Sequence, residues 1–286
     1  MKWLASFVAL FAVQSVMASP IEKRASVNDV ANVGYATLNG GTSGGSGGTT
    51  TTVTSLSALQ SAVQGDAKKV VIVSGTITGN TVVSVGSNTS VIGARGSQLV
   101  GVGLRALNVK NVIFRNLKIS KVVADAGDAI GVQASSQVWV DHVDLSSDLS
   151  HDKASLVGHS DSNGSEDTKI TVTYVGNWWQ NLNSRTPSFR FGRGHIYNNF
   201  FENNNDGINT RVGAQLLVEN NVWVGAKKPL YSTGEGYAVA RGNDFGGASN
   251  TAPSGSFTSA PYSYSLLSTG NVRSSVTANA GQTLSF

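Results

Sequence analysis

The chain has 286 residues, of which 13% are charged and 33 are glycine, with no cysteine and a formal net charge of +4. That length holds one large domain or two small ones, and the lack of cysteine excludes a disulfide scaffold, so packing and hydrogen bonding alone must hold the fold. The basic balance favours a polyanionic partner, which outside a cell means an acidic polysaccharide rather than nucleic acid.

The amino terminus runs Met1-Lys2-Trp3 into an apolar stretch from Leu4 to Val16, too short to span a bilayer, and closes on Val16-Met17-Ala18. Residues 1–18 therefore read as a signal peptide and the protein as secreted. Lys23-Arg24 offers a dibasic processing site, making 19–24 a propeptide and 25–286 a single mature domain. No later segment is apolar enough to span a membrane, and the sequons at Asn88 and Asn163 fit the secretory route. The Gly/Thr tract from Gly40 to Thr52 reads as a loop, a flexible linker being as well supported as any binding role. Ser55 to Val63 predicts one short helix, placed to cap an open sheet edge.

Beyond it, short β-branched runs recur with Asn-rich or Gly-rich turns after most of them. They begin at Lys69, Thr89, Asn111, Gln137, Lys169, Gly194, Gln215 and Tyr237, mostly 20 to 26 residues apart. Each run alternates inward apolar and outward residues, and no interval has room for a ten-residue amphipathic helix, which disfavours alternating strand-and-helix architecture. The pattern predicts an all-β solenoid, a parallel β-helix whose coils hydrogen-bond to their neighbours, with Asn taking left-handed corners and stacking in ladders. One interval breaks the period: Gln137 to Lys169 spans 32 residues, too long for one coil and too short for two. Chemistry or an irregularity is expected there.

Two segments, Val138-Trp139-Val140-Asp141-His142 and Arg185-Thr186-Pro187-Ser188-Phe189-Arg190-Phe191-Gly192, resemble signatures of the family 1 pectate lyases. Gly127-Asp128-Ala129-Ile130, Lys153 to Asp161 and Ile196 to Asn199 are similar to family segments in the same order, and the likeness extends from about Gly34 to the carboxyl terminus. The resemblance implies a right-handed parallel β-helix that cleaves polygalacturonate by β-elimination, with calcium (Ca2+) as cofactor, acting as a monomer. By position, Arg185 matches the general base, Arg190 the substrate-carboxylate binder, Lys153 the substrate-binding lysine and Asp128 one calcium ligand. Arginine ordinarily stays protonated, so this chemistry needs neighbouring positive charge and predicts an alkaline optimum.

The chain departs from the family pattern where His151-Asp152-Lys153 runs directly into Ala154-Ser155-Leu156. A segment with two further calcium-binding acids, and with it close to one coil, is missing there, so Lys153 matches either flank of the gap. Calcium takes six to eight oxygen ligands, and only Asp128 is assured; Asp144, Asp148 and Asp152 are the candidate substitutes. Closing the gap would bring Asp128 nearer to Arg185 by about one strand spacing, ~4.8 Å. The competing readings are an inactive or merely polysaccharide-binding variant and a calcium-independent lyase of methylated pectin. Asp141, His142, His159 and His195 read as structural, Trp178-Trp179 as packing and Asp161 to Asp167 as a solvated loop. For Arg185 the alternative is an inter-coil ion pair.

Overall fold

A computed structural model describes residues 25–146 and 153–286; the predicted signal peptide and propeptide, together with Asp148 and Asp152, lie outside the described residues. Within them the chain winds as a parallel β-helix. Partners such as Thr171, Arg193, Gln215 and Tyr237 stack in register at 22-residue steps, so each coil donates its backbone hydrogen bonds to the next.

The corners work through two adjacent residues with different tasks. Gly176, Asn198, Asn220 and Gly242 take positive φ between 48° and 67°, which only Gly and Asn adopt cheaply. The residues that follow form the ladder: Asn177, Asn199 and Asn221 each donate a side-chain amide to the next Asn at 2.9–3.0 Å, ending on Asn243. On these coils the expected ladder falls on the residue after the left-handed corner, whereas Asn111, itself left-handed, donates to the left-handed Asn88 at 2.9 Å.

The predicted helix is Leu56–Ala62, started by Ser55, whose hydroxyl accepts from Ala58 N at 3.3 Å. It buries Leu59 against the end of the first core with Val53 and Val63. The Gly/Thr tract is no linker: Thr49–Val53 is a strand paired with Lys69–Val73. A Cβ on Gly45 would stand 1.8 Å from the Lys69 carbonyl, so glycine is what lets this arm lie flat on the sheet. A longer helix that the repeat pattern concealed, Thr269–Asn279, packs Val272 and Val276 against Phe200 and Val222.

The irregular interval divides the solenoid. One sheet ends at Ser136–Asp141, and the sheet that succeeds it begins anew at Thr171–Val175; no strand pairing joins them among the described residues. Asp144–Ser146 and Ile130–Gln133 are likewise terminal strands of the amino-terminal stack, as Leu156–Val157 and Trp178–Gln180 are of the carboxyl-terminal one. Two separate cores result, one around Val91, Leu104 and Phe114, the other around Phe189, Leu216 and Trp223. The flanking coils expose apolar side chains that interior coils bury, including Val140 at 44% and Leu145 at 51%. Among the described residues the stack does not reclose across the interval.

The chain's two ends tie the stacks together instead. Tyr35 N donates to Thr173 Oγ1 at 3.1 Å. From the other end, Gln282 Nε2 donates to the carbonyls of Ser97 and Asn116 at 2.9 Å, and Leu284 N to Asn116 Oδ1 at 2.9 Å.

Candidate active site

In the sheet formed by Leu156–Val157, Ser188–Arg190, Ile208–Arg211 and Leu230–Thr233, Arg190 ends the second strand and Arg185 precedes it. Lys153 lies one coil before Arg185: it bridges Ser184, and Ser155 N donates to the Arg185 carbonyl at 2.8 Å. The sequence-predicted Lys153, Arg185 and Arg190 are thus brought to one sheet and its rim, with Lys153 exposed and both arginines partly so.

Arg185 sits at φ 60°, before a cis Thr186–Pro187 bond. This backbone is held from the next coil. Asp206 Oδ2 accepts from Arg185 N at 3.4 Å and from the Tyr231 hydroxyl at 2.9 Å, while Thr186 Oγ1 donates to the Asp206 carbonyl at 2.9 Å. Burial raises the Asp206 carboxyl above the usual carboxylate range despite these hydrogen bonds. Burial, and then the neighbouring Asp206, push the Tyr231 hydroxyl up as well. Neither residue stood out in the sequence, yet Asp206 lies 21 positions after Arg185, the step at which Ser188 pairs with Asn209 on the next coil.

Arg190 is nearly enclosed, its side chain 12% exposed, and its Nε is ion-paired with Asp161. Its Nη1 donates to the Gly158 carbonyl at 3.3 Å, and Arg211, its register partner on the next coil, approaches the same Asp161 oxygen at 3.8 Å. Asp161 is therefore not merely a solvated loop residue. Asp167, in the same loop, accepts from His159 N at 3.2 Å.

Asp128 stands elsewhere. It precedes the terminal strand Ile130–Gln133 of the amino-terminal stack, exposed in a shallow recess with Asp125, Arg105 and Gln133. Asp144 lies on a different strand of the same sheet, paired with Lys118 at 3.7 Å. Among the described residues no three acidic or histidine side chains gather as a metal site requires. The donor set among the described residues does not by itself fit calcium.

The other residues weighed from sequence are structural. Asp141 Oδ2 accepts from Arg115 Nε across the coil at 2.8 Å, and His142 Nδ1 lies 2.8 Å from Asp141 Oδ1. His195 is fully buried between the Tyr262 hydroxyl at 2.7 Å and Glu219 at 3.1 Å. Burial lowers its basicity more than Glu219 restores it. Trp179 stacks on Phe201 with ring centroids 5.9 Å apart, and Trp178 Nε1 donates to Glu202 at 3.1 Å.

The pectate lyase family model matches residues 8–150 and 147–285, two stretches that between them cover almost the whole chain and meet at the break. The chain belongs to the pectate lyase family. Its members are polysaccharide lyases, enzymes of acidic polysaccharides. Pectate lyase A of Emericella nidulans is 56% identical over 94% of this chain and 91% of its own length. The probable pectate lyase A of Aspergillus niger is 51% identical over 100% of this chain and 99% of its own. That second alignment runs over 321 positions against 286 residues here, leaving about 35 positions without a counterpart. Among solved structures, a Bacillus pectate lyase in complex with trigalacturonate superposes with a TM-score of 0.77 at 29% identity, covering 88% of this chain and 98% of that one. Another pectate lyase, at 18% identity, superposes with a TM-score of 0.80 over 90% of this chain and 99% of its own, a likeness of fold.

Proposed function

We propose that this chain is a secreted protein of a single domain, residues 25–286, that binds de-esterified polygalacturonate through Lys153, Arg185 and Arg190, with Arg185 as the base of a β-elimination. The observation that carries the reading is the gathering of these three cations on adjacent coils of one sheet and its rim. In the reaction, the guanidine of Arg185 takes the C5 proton of a galacturonate unit. The electrons of that bond form the C4–C5 double bond, and the C4 glycosidic oxygen departs and is protonated by water. Lys153 and Arg190 bind carboxylates, and their charge opposes a further positive charge at Arg185. The Asp206–Tyr231 pair holds the backbone from which Arg185 projects.

The family uses calcium, but Asp125 and Asp128, the described carboxylates of the recess on the far side of the break, supply too few ligands, so no step is routed through the metal. The same observation favours a second reading: a protein that binds pectate without cleaving it. Ultraviolet absorbance of the unsaturated product separates the two. Purified protein on polygalacturonate at alkaline pH, with calcium, with chelator, and with Arg185→Ala as control, gives product lost in the control if Arg185 is the base. Folded protein that gives no product under any condition supports the binding reading, and product that survives chelation indicates a calcium-independent lyase.

A further inference from the structure

We infer that Asp161 is an internal counter-ion of the Arg190 carboxylate seat, held there in the free protein and displaced when a uronate carboxylate binds. The inference rests on the reading of Arg190 as a carboxylate binder and adds what governs its affinity.

Three features of the loop carry it. First, one Asp161 oxygen serves two guanidinium groups, ion-paired with Arg190 Nε and lying 3.8 Å from Arg211 Nη2. A carboxylate between two arginines on neighbouring coils has the same charge and planar geometry as the acid group of a galacturonate unit. Second, the loop is built to deliver it. Gly158 lies so close that an added Cβ would stand 2.7 Å from Arg190 Cβ, and Gly164 fits against the Phe191 ring, where a Cβ would meet it at 3.1 Å. Third, the two partners differ in exposure: the Arg190 side chain is 12% exposed and that of Asp161 61%. The cation is fixed in the wall while the anion sits on the solvent side, where a polyanion arrives. Arg211 Nε, buried and without a hydrogen-bond partner, adds donor capacity that Asp161 does not use.

A ligand carboxylate must replace Asp161 rather than add to it, because two carboxylates on one seat repel each other. Removing the charge of Asp161 should therefore tighten the binding of an acidic ligand. With one partner largely in solvent, the gain is about two- to fivefold in Kd. A fully methyl-esterified ligand carries no competing charge and should gain less.

The test is titration calorimetry of trigalacturonate into the full chain in chelator, for the parent protein, Asp161→Asn, Arg190→Ala and the double variant. Asp161 is a surface residue, so Asp161→Asn leaves the fold intact, which circular dichroism checks. The inference expects tighter binding in Asp161→Asn, weaker binding in Arg190→Ala, and no benefit from Asp161→Asn once Arg190 is gone. Unchanged or weaker binding in Asp161→Asn, with Arg190→Ala still impaired, overturns the inference and leaves Arg190 as the binder. Arg190→Ala binding as well as the parent overturns the reading of Arg190 itself.

Discussion

Asn116 is the clearest place to test whether the two stacks are held together by the chain's ends. It is fully buried at φ 53°, and its side chain donates to Gly93 O at 2.8 Å and Leu284 O at 3.1 Å while accepting from Leu284 N at 2.9 Å. Asn116→Ala removes three hydrogen bonds at about 1 kcal/mol each and puts alanine in a left-handed conformation at about 1 kcal/mol more, for a loss of about 4 kcal/mol. Asn116→Gly keeps the backbone and should lose about 3 kcal/mol. Two of the three bonds go to the tail, so a double-mutant cycle between Asn116→Gly and deletion of residues 282–286 should show a coupling of about 2 kcal/mol. Urea denaturation followed by tryptophan fluorescence and far-ultraviolet circular dichroism reads both quantities. The tail is one of two ties, so the transitions seen by the two probes should also separate in the variant. A coupling near zero, or coincident transitions in every variant, would refute the claim that the tail joins the stacks.

Three further outcomes are expected. Asn199 is fully buried, donates its amide to Tyr174 O, Tyr197 O and Asn221 Oδ1, and accepts from Asn177; Asn199→Ala should cost about 3 kcal/mol or more, measured as the shift in denaturation midpoint. His195 holds its proton less tightly folded than unfolded because it is buried. Its contribution to stability is therefore full above the unfolded pKa of about 6.5 and is lost as pH falls below it, so His195→Gln should flatten the acid limb of the stability profile; an unchanged slope would count against this. Insertion at the break of the 35 or so positions present in the Aspergillus niger relative should slow amide exchange in Ser136–Asp141 and Thr171–Val175, the strands now without a neighbour on one side. Equal protection before and after insertion would show that the stacks already pair.

The coil period, the left-handed Asn corners and the helix begun by Ser55 were legible in the sequence, whereas Lys153, Arg185 and Arg190 were singled out by resemblance to the family. Side-chain alternation, φ preference and capping are local properties, and a repeat carries a residue to the same face of the next coil. The 32-residue interval likewise marks the irregularity in the sequence itself. What that interval does to the molecule is a different matter, because strand pairing across it depends on where both stacks are held. Those positions are set by residues as distant as Tyr35 with Thr173 and Asn116 with Leu284. The same holds for the site. Asp161 meets Arg190 from 29 residues away and Asp206 supports Arg185 from the next coil. Asp128, placed with the calcium site by resemblance, remains on the other side of the break. Sequence determined each coil and its outward residues; the stacking of coils, a non-local sum of backbone pairing and packing, decided which of those residues meet.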